Sequence, residues 1–367
     1  MDSIWDLANP HLRDLAIYEP GKPIEETARE SGLRPDQITK LASNENPLGP
    51  SPGVQGAMRD AVAGANLYPD GGGFYLRAAL SKKLQLEPGN FILGNGSNEI
   101  IEFIGHAFLG PKVEIVTSEN AFIAYRLVAS LFGAKTVTVP DREYCFDLEA
   151  VAQAITPRTR VVFIANPNNP TGTLVRQEEI DRFMARVPDH VVVVFDEAYH
   201  EYLDAPPDTL QFVRAGRNVI ILRTFSKIHA LASIRLGYGI ARPELIRVVQ
   251  KTREPFNTSG VAQAAAVAAL ADTAHQAESK RLTDEGRRYL EAEFAALGLP
   301  FVPSVANFVL VKVGDGKTLF NALLRKGVIV RALSGYSLPE WIRISVGTME
   351  QNRHCVAALR EVMSKHA

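Results

Sequence analysis

Val219-Ile220-Ile221-Leu222-Arg223-Thr224-Phe225-Ser226-Lys227 reads as a buried strand that stops at a polar cluster. Four apolar residues in a row, without polar alternation, suit a strand covered on both faces. The cluster after them carries two hydroxyls and an amine, not the Gly, Asn and Pro of a plain turn. In an open parallel sheet, ligands bind beyond the carboxyl ends of the strands. The end of this strand is therefore the place to look for chemistry.

Five further runs share this texture, at 91–93, 113–117, 136–139, 161–165 and 191–195. Segments of helical character, such as 178–185, separate most of them. That alternation predicts an α/β fold: a three-layer α/β/α domain around a mostly parallel sheet. From about residue 258 the texture changes. Helices are predicted over 261–271 and 281–297, strands over 307–312, 328–332 and 342–346, and a closing helix over 350–365. These make a smaller α+β domain. The first forty-odd residues are rich in Pro and Gly, and Tyr18-Glu19-Pro20-Gly21-Lys22-Pro23 reads as an extended arm. The expected division is 1–46 for the arm and part of the small domain, 47–257 for the large domain, and 258–367 for the small one.

Composition narrows the class. Of 367 residues, 46% are hydrophobic and 22% charged, an ordinary globular balance, and the net charge of −1 offers no footprint for nucleic acid or an anionic membrane. Cys145 and Cys355 are too few for a disulfide framework or a cysteine zinc site, so no metal is expected. Met1-Asp2-Ser3-Ile4-Trp5-Asp6 carries acid where a secretory signal carries base. No run approaches the roughly 20 apolar residues of a membrane span. A cytoplasmic location is expected.

Three other strand ends carry polar clusters. Gly94-Asn95-Gly96-Ser97-Asn98-Glu99 follows the first run and opens a helix; Asn166-Pro167-Asn168-Asn169-Pro170-Thr171-Gly172 follows the run at 161–165; Asp196-Glu197-Ala198-Tyr199 follows the run at 191–195. Singly, each has a bland reading as a tight loop, a helix cap or a solvated lysine. The dinucleotide glycine fingerprint is absent, which disfavours a NAD-dependent dehydrogenase. Four clusters on one rim point to a ligand site.

With these residues in hand, the chain resembles the fold-type I, aspartate-aminotransferase-like enzymes that use pyridoxal 5′-phosphate (PLP). The resemblance is carried by Asn169-Pro170-Thr171-Gly172, Asp196 with Tyr199, Ser226-Lys227 with Arg235 eight residues later, and Arg343-Ile344-Ser345-Val346-Gly347. It spans nearly the whole chain. Leu41-Ala42-Ser43-Asn44-Glu45-Asn46-Pro47-Leu48-Gly49-Pro50 and Tyr68-Pro69-Asp70-Gly71 narrow it to the histidinol-phosphate aminotransferase branch. Glu119-Asn120-Ala121-Phe122 and His229 depart from that branch's commonest form.

The resemblance implies roles. Lys227 attaches to the cofactor aldehyde, for which its amine must be deprotonated; burial near positive charge favours that state. Once freed, the amine moves a proton between the substrate carbon and the cofactor C4′. Asp196 faces the pyridine nitrogen, Asn169 and Tyr199 the phenolic oxygen, and Phe122 the ring face. Ser97, Asn98, Thr224, Ser226 and Arg235 hold the phosphate, the first two at a helix N-terminus. Tyr68 reaches the phosphate of the neighbouring subunit in a homodimer. Arg343 binds the substrate anion, with Arg331, Asn307 and Tyr18 completing the substrate pocket.

The implied reaction is transamination between histidinol phosphate and 2-oxoglutarate, giving imidazole-acetol phosphate and glutamate in histidine biosynthesis. An aromatic amino-acid aminotransferase and a threonine-phosphate-type PLP decarboxylase remain as alternatives. A non-enzymatic PLP-binding regulator would carry a fused DNA-binding module, for which the chain has neither spare length nor basic excess.

Overall fold

The apolar runs become strands of one sheet in the computed structural model, which describes residues 4–13, 15 and 21–364. Strand β1 (Thr39–Lys40) lies apart. Strands β2 (Phe91–Gly94), β3 (Glu114–Ser118), β4 (Lys135–Val139), β5 (Thr159–Ala165), β6 (Val192–Asp196), β7 (Val219–Thr224) and β8 (Gly237–Ile240) form a seven-stranded sheet in the order β2-β8-β7-β6-β5-β3-β4. Only β8 runs against the others. The strands β5, β6 and β7 are buried almost throughout, as their unbroken apolar runs require. The expected three-layer α/β fold is the one observed.

Strand β8 was not among the expected strands. Its sequence, Gly237-Tyr238-Gly239-Ile240, lacks the usual strand composition. Gly237 is there for space: a Cβ would lie 2.3 Å from the Ser97 amide nitrogen. The glycine lets β8 run against the start of the helix Ser97–Phe108.

A second, smaller sheet contains β9 (Phe301–Val302), β10 (Phe308–Lys312), β12 (Arg331–Leu333) and β13 (Leu338–Ser345), in the order β12-β13-β10-β9 and antiparallel throughout. Strand β11 (Val328–Ile329) leaves this sheet and pairs in parallel with β1, which ties residues 39–40 to the smaller region. The expected strand over 328–332 is thus two strands in different sheets. Leu290, Phe294, Val309, Ile344 and Leu359 share a core separate from that of the large sheet.

Two helices depart from expectation. The helix predicted from 281 starts at Thr273, because Asp272 accepts a hydrogen bond from the His275 amide at 3.0 Å and caps it there. The Ala-rich helix Gly260–Ala271 packs against Pro52–Val62 and Phe74–Leu84, and its Ala262, Ala265, Ala266 and Ala269 belong to the core of the large sheet. A division at 257/258 would assign that helix to the smaller region, whereas its buried face packs with the larger one. Among the described residues, no helix is long and apolar enough to cross a membrane.

Candidate active site

The carboxyl ends of β2, β5, β6 and β7 meet one cavity of about 580 Å³, closed on its far side by Arg331 and Arg343 of the smaller sheet. Lys227, Asp196, Tyr199 and Asn169 line it, as do Ser97, Asn98, Thr224, Ser226, Arg235 and Phe122. Twelve of the expected site residues therefore share one wall.

One corner is built for an anion. Gly96 has φ +80°, and a Cβ there would lie 2.4 Å from an Arg235 guanidinium nitrogen. Glycine admits both the backbone turn and the guanidinium. Arg235 Nη1 donates to Ser226 Oγ at 3.3 Å and to the Ala232 carbonyl at 3.0 Å. The Ser226 amide donates to Thr224 Oγ1 at 3.1 Å. The fixed charge, the hydroxyls and the amino end of the helix Ser97–Phe108 converge without bulk.

Asp196 ends β6 and is 6% exposed. Burial pushes its carboxyl up to about 6, against hydrogen bonds from the Tyr125 hydroxyl and the Ala198 amide. Tyr125 also lines the cavity and was not anticipated. Its ring lies flat on Phe163, with centroids 4.7 Å apart and planes 5° from parallel. No local sequence pattern marks it, because Asp196, its partner, lies 71 residues away.

Lys227 Nζ donates to the Ser43 carbonyl at 3.2 Å and lies 5.7 Å from the centroid of the Tyr199 ring. Burial, then the charges of Arg343 and Arg235, pull its amine down to about 8, while Glu45 and Asp196 oppose. Tyr199 is held up at about 12 by burial, and its hydroxyl accepts from Asn44 Nδ2 at 2.9 Å. Asn44 is a second unanticipated wall residue. It sits at φ +56° and is fixed by Ser345, whose hydroxyl donates to Asn44 Oδ1 at 2.8 Å.

Arg343, on β13, donates to Asn169 Oδ1 and, at 2.7 Å, to the Ala42 carbonyl; its guanidinium carbon lies 5.2 Å from the Phe308 ring centroid. Phe122 stands edge-on to Tyr125, at 88°. Asn307 does not line the cavity. It is buried behind it and donates to the Asn44 carbonyl at 3.0 Å, so it supports the wall. Tyr68 is also outside the cavity of its own chain: it is 84% exposed and stacked on Phe256 at 4.8 Å. Tyr18 lies outside the described residues. No group of three His, Cys, Asp or Glu among the described residues is placed to hold a metal ion.

This donor set fits a ligand with an anionic end, a basic ring nitrogen and an electrophilic carbon. The anionic end has the Arg235 corner, the nitrogen has Asp196, and the carbon has an amine that is largely neutral slightly above pH 8.

The family description "Aminotransferase class I and II" matches residues 36–359. The chain belongs to this family. It is 54% identical to the histidinol-phosphate aminotransferase of Akkermansia muciniphila over 98% of this chain and 100% of that protein. It is 48% identical to that of Moorella thermoacetica over 95% and 90% respectively. A crystal structure of histidinol-phosphate aminotransferase from Sinorhizobium meliloti, in complex with pyridoxal-5′-phosphate, superposes with a TM-score of 0.89 at 30% identity, covering 98% of both chains. The fold is that of the fold-type I aminotransferases.

Proposed function

We propose that the protein is a PLP-dependent histidinol-phosphate aminotransferase acting in histidine biosynthesis, with 2-oxoglutarate as amino acceptor. The observation that carries this reading is the pair of guanidinium groups, Arg331 and Arg343, on the wall of the cavity that holds Lys227. Histidinol phosphate presents a phosphate dianion and no carboxylate, whereas glutamate presents two carboxylates. A guanidinium fork matches either anion, so one wall serves both half-reactions.

When bound, PLP withdraws electrons from the substrate carbon that loses its proton. Lys227 Nζ would hold that proton and carry it between the substrate carbon and the cofactor, and burial pulls its amine down to about 8, toward the neutral form this role needs. Asp196 would hold the ring nitrogen and its proton, Tyr199 and Asn169 the phenolic oxygen, Ser97, Asn98, Thr224, Ser226 and Arg235 the phosphate, and Phe122 a ring face.

The working unit in this reading is a homodimer. Leu67, Tyr68, Phe74, Tyr75 and Phe256 are between 46% and 84% exposed on the single chain, with Tyr68 against Phe256 and Phe74 against Tyr75, more large apolar groups in one region of sequence and contact than an isolated surface usually carries. A second copy covers it, and Tyr68 reaches the phosphate corner of that copy. Both cysteines are free thiols, in keeping with a reducing cytoplasm.

The test is competition between substrates. Histidinol phosphate should exceed both histidinol and phenylalanine in kcat/KM by orders of magnitude, and Arg331→Ala should narrow that preference. Efficient phenylalanine turnover with weak use of histidinol phosphate would favour an aromatic aminotransferase.

A further inference from the structure

Two side chains outside the cavity wall grip the glycine loop that leads into the anion corner. Asn257 Nδ2 donates to the Leu93 carbonyl at 3.2 Å and to Glu99 Oε2 at 2.6 Å. The same Glu99 oxygen accepts from the Asn95 amide at 2.6 Å. Leu93 and Asn95 flank Gly94, so the two contacts clasp the loop from both sides. On its other face, Asn257 Oδ1 accepts from Arg253 Nη1 at 2.6 Å, and Arg253 Nη2 donates to the Gly71 carbonyl at 2.8 Å. The clasp is thereby tied to the loop that carries Tyr68.

A loop of this kind needs a clasp. Gly94 is fixed by its pairing with Gly237 at the end of β2, but Gly96, at φ +80° to make room for Arg235, keeps the backbone freedom of glycine, and that freedom must be removed if the Ser97 amide is to point at an anion.

We propose that Asn257 and Glu99 are positioning residues that set the geometry of the phosphate corner, and with it the preference for a phosphorylated over an unphosphorylated cofactor. This rests on the reading of that corner as the PLP phosphate site. Neither side chain touches the cavity, so neither acts on the reacting atoms.

The discriminating measurement is the affinity of the apoenzyme for PLP and for pyridoxal, which lacks the phosphate. Asn257→Asp sets a carboxylate against Glu99 in place of a donor. PLP affinity should fall roughly tenfold, the scale of a lost hydrogen bond to a charged group, while pyridoxal affinity stays as in the wild type. Asn257→Ala, which adds no charge, should shift the preference in the same direction as Asn257→Asp if that variant fails to fold. A parallel fall in both affinities, or a PLP affinity unchanged in both variants, would overturn the clasp. A wild-type enzyme that binds PLP no more tightly than pyridoxal would instead overturn the phosphate reading itself.

Discussion

The Tyr125 hydroxyl donates a 2.8 Å hydrogen bond to Asp196 Oδ2, and both groups are buried. The phenol cannot swing away, because its ring is stacked on Phe163. Its proton stabilises the charged carboxylate against the burial that raises it to about 6. In Tyr125→Phe that stabilisation is lost and the Asp196 carboxyl rises further. The acid limb of the apoenzyme's pH profile for PLP affinity should move to higher pH by roughly one unit, as the loss of a hydrogen bond to a charged group implies. An unmoved acid limb would show that Tyr125 only packs.

Lys227 titrates near 8 because it is buried beside two guanidinium groups. Attachment of PLP to the apoenzyme needs the neutral amine. The rate of appearance of the bound cofactor's near-visible band should therefore rise with pH through about 8 and level off above it. Arg343→Gln removes the larger of the two charge effects, so the same profile should move to higher pH. The sign for stability follows from the lowered value. Between about 8 and the ordinary lysine value of 10.5, the unfolded chain binds the extra proton, so this group's contribution to apoenzyme stability increases with pH across that window.

Behind the site, Arg223 pairs with Glu197 at 2.8 Å, both nearly inaccessible. Burial alone would raise Glu197, but Arg223, His200 and Thr209 bring it down to about 2. Arg223→Met leaves a buried carboxylate without its guanidinium partner and should cost about 3 kcal/mol in denaturant unfolding, whereas Glu197→Leu with Arg223→Met should recover much of that loss. Equal losses in the single and double variants would contradict this account. The pair's contribution is present above pH 4.5 and is lost as pH falls toward about 2.

If Tyr68 serves the partner's phosphate corner, two defective variants should complement each other. Lys227→Ala homodimers are expected to be inactive, and Tyr68→Phe homodimers to bind PLP weakly. After subunit exchange, hybrids carry one intact site, and activity should recover in proportion to the hybrid fraction. Confirmed hybrids without recovery would place Tyr68 outside the partner's site.

The parts of this architecture legible in sequence were those written in local pattern. The runs at 161–165, 191–195 and 219–222 read as buried strands, and the groups beyond their ends, Asn169, Asp196 and Lys227, stand out because a strand's carboxyl end is where a ligand meets an open sheet. Strand β8 was hidden because its glycines are there for space, Gly237 for the Ser97 amide and Gly239 for Ile92 and Ile100. Tyr125 and Asn44 were hidden because their importance lies in partners 71 and 155 residues away, Asp196 and Tyr199, and one sequence holds no distances. Asn307 was placed in the pocket although it stands one layer behind it. Residue type marks it as a polar donor, but only the register of β10 against β13 decides which side of the wall it occupies.

The central claim, that this rim is a PLP site anchored on Lys227, is tested most directly by borohydride reduction of the PLP-loaded enzyme followed by peptide mapping. The account predicts a single pyridoxyl mark on the peptide containing Ser226-Lys227, and none in Lys227→Ala. A mark on any other lysine would contradict it.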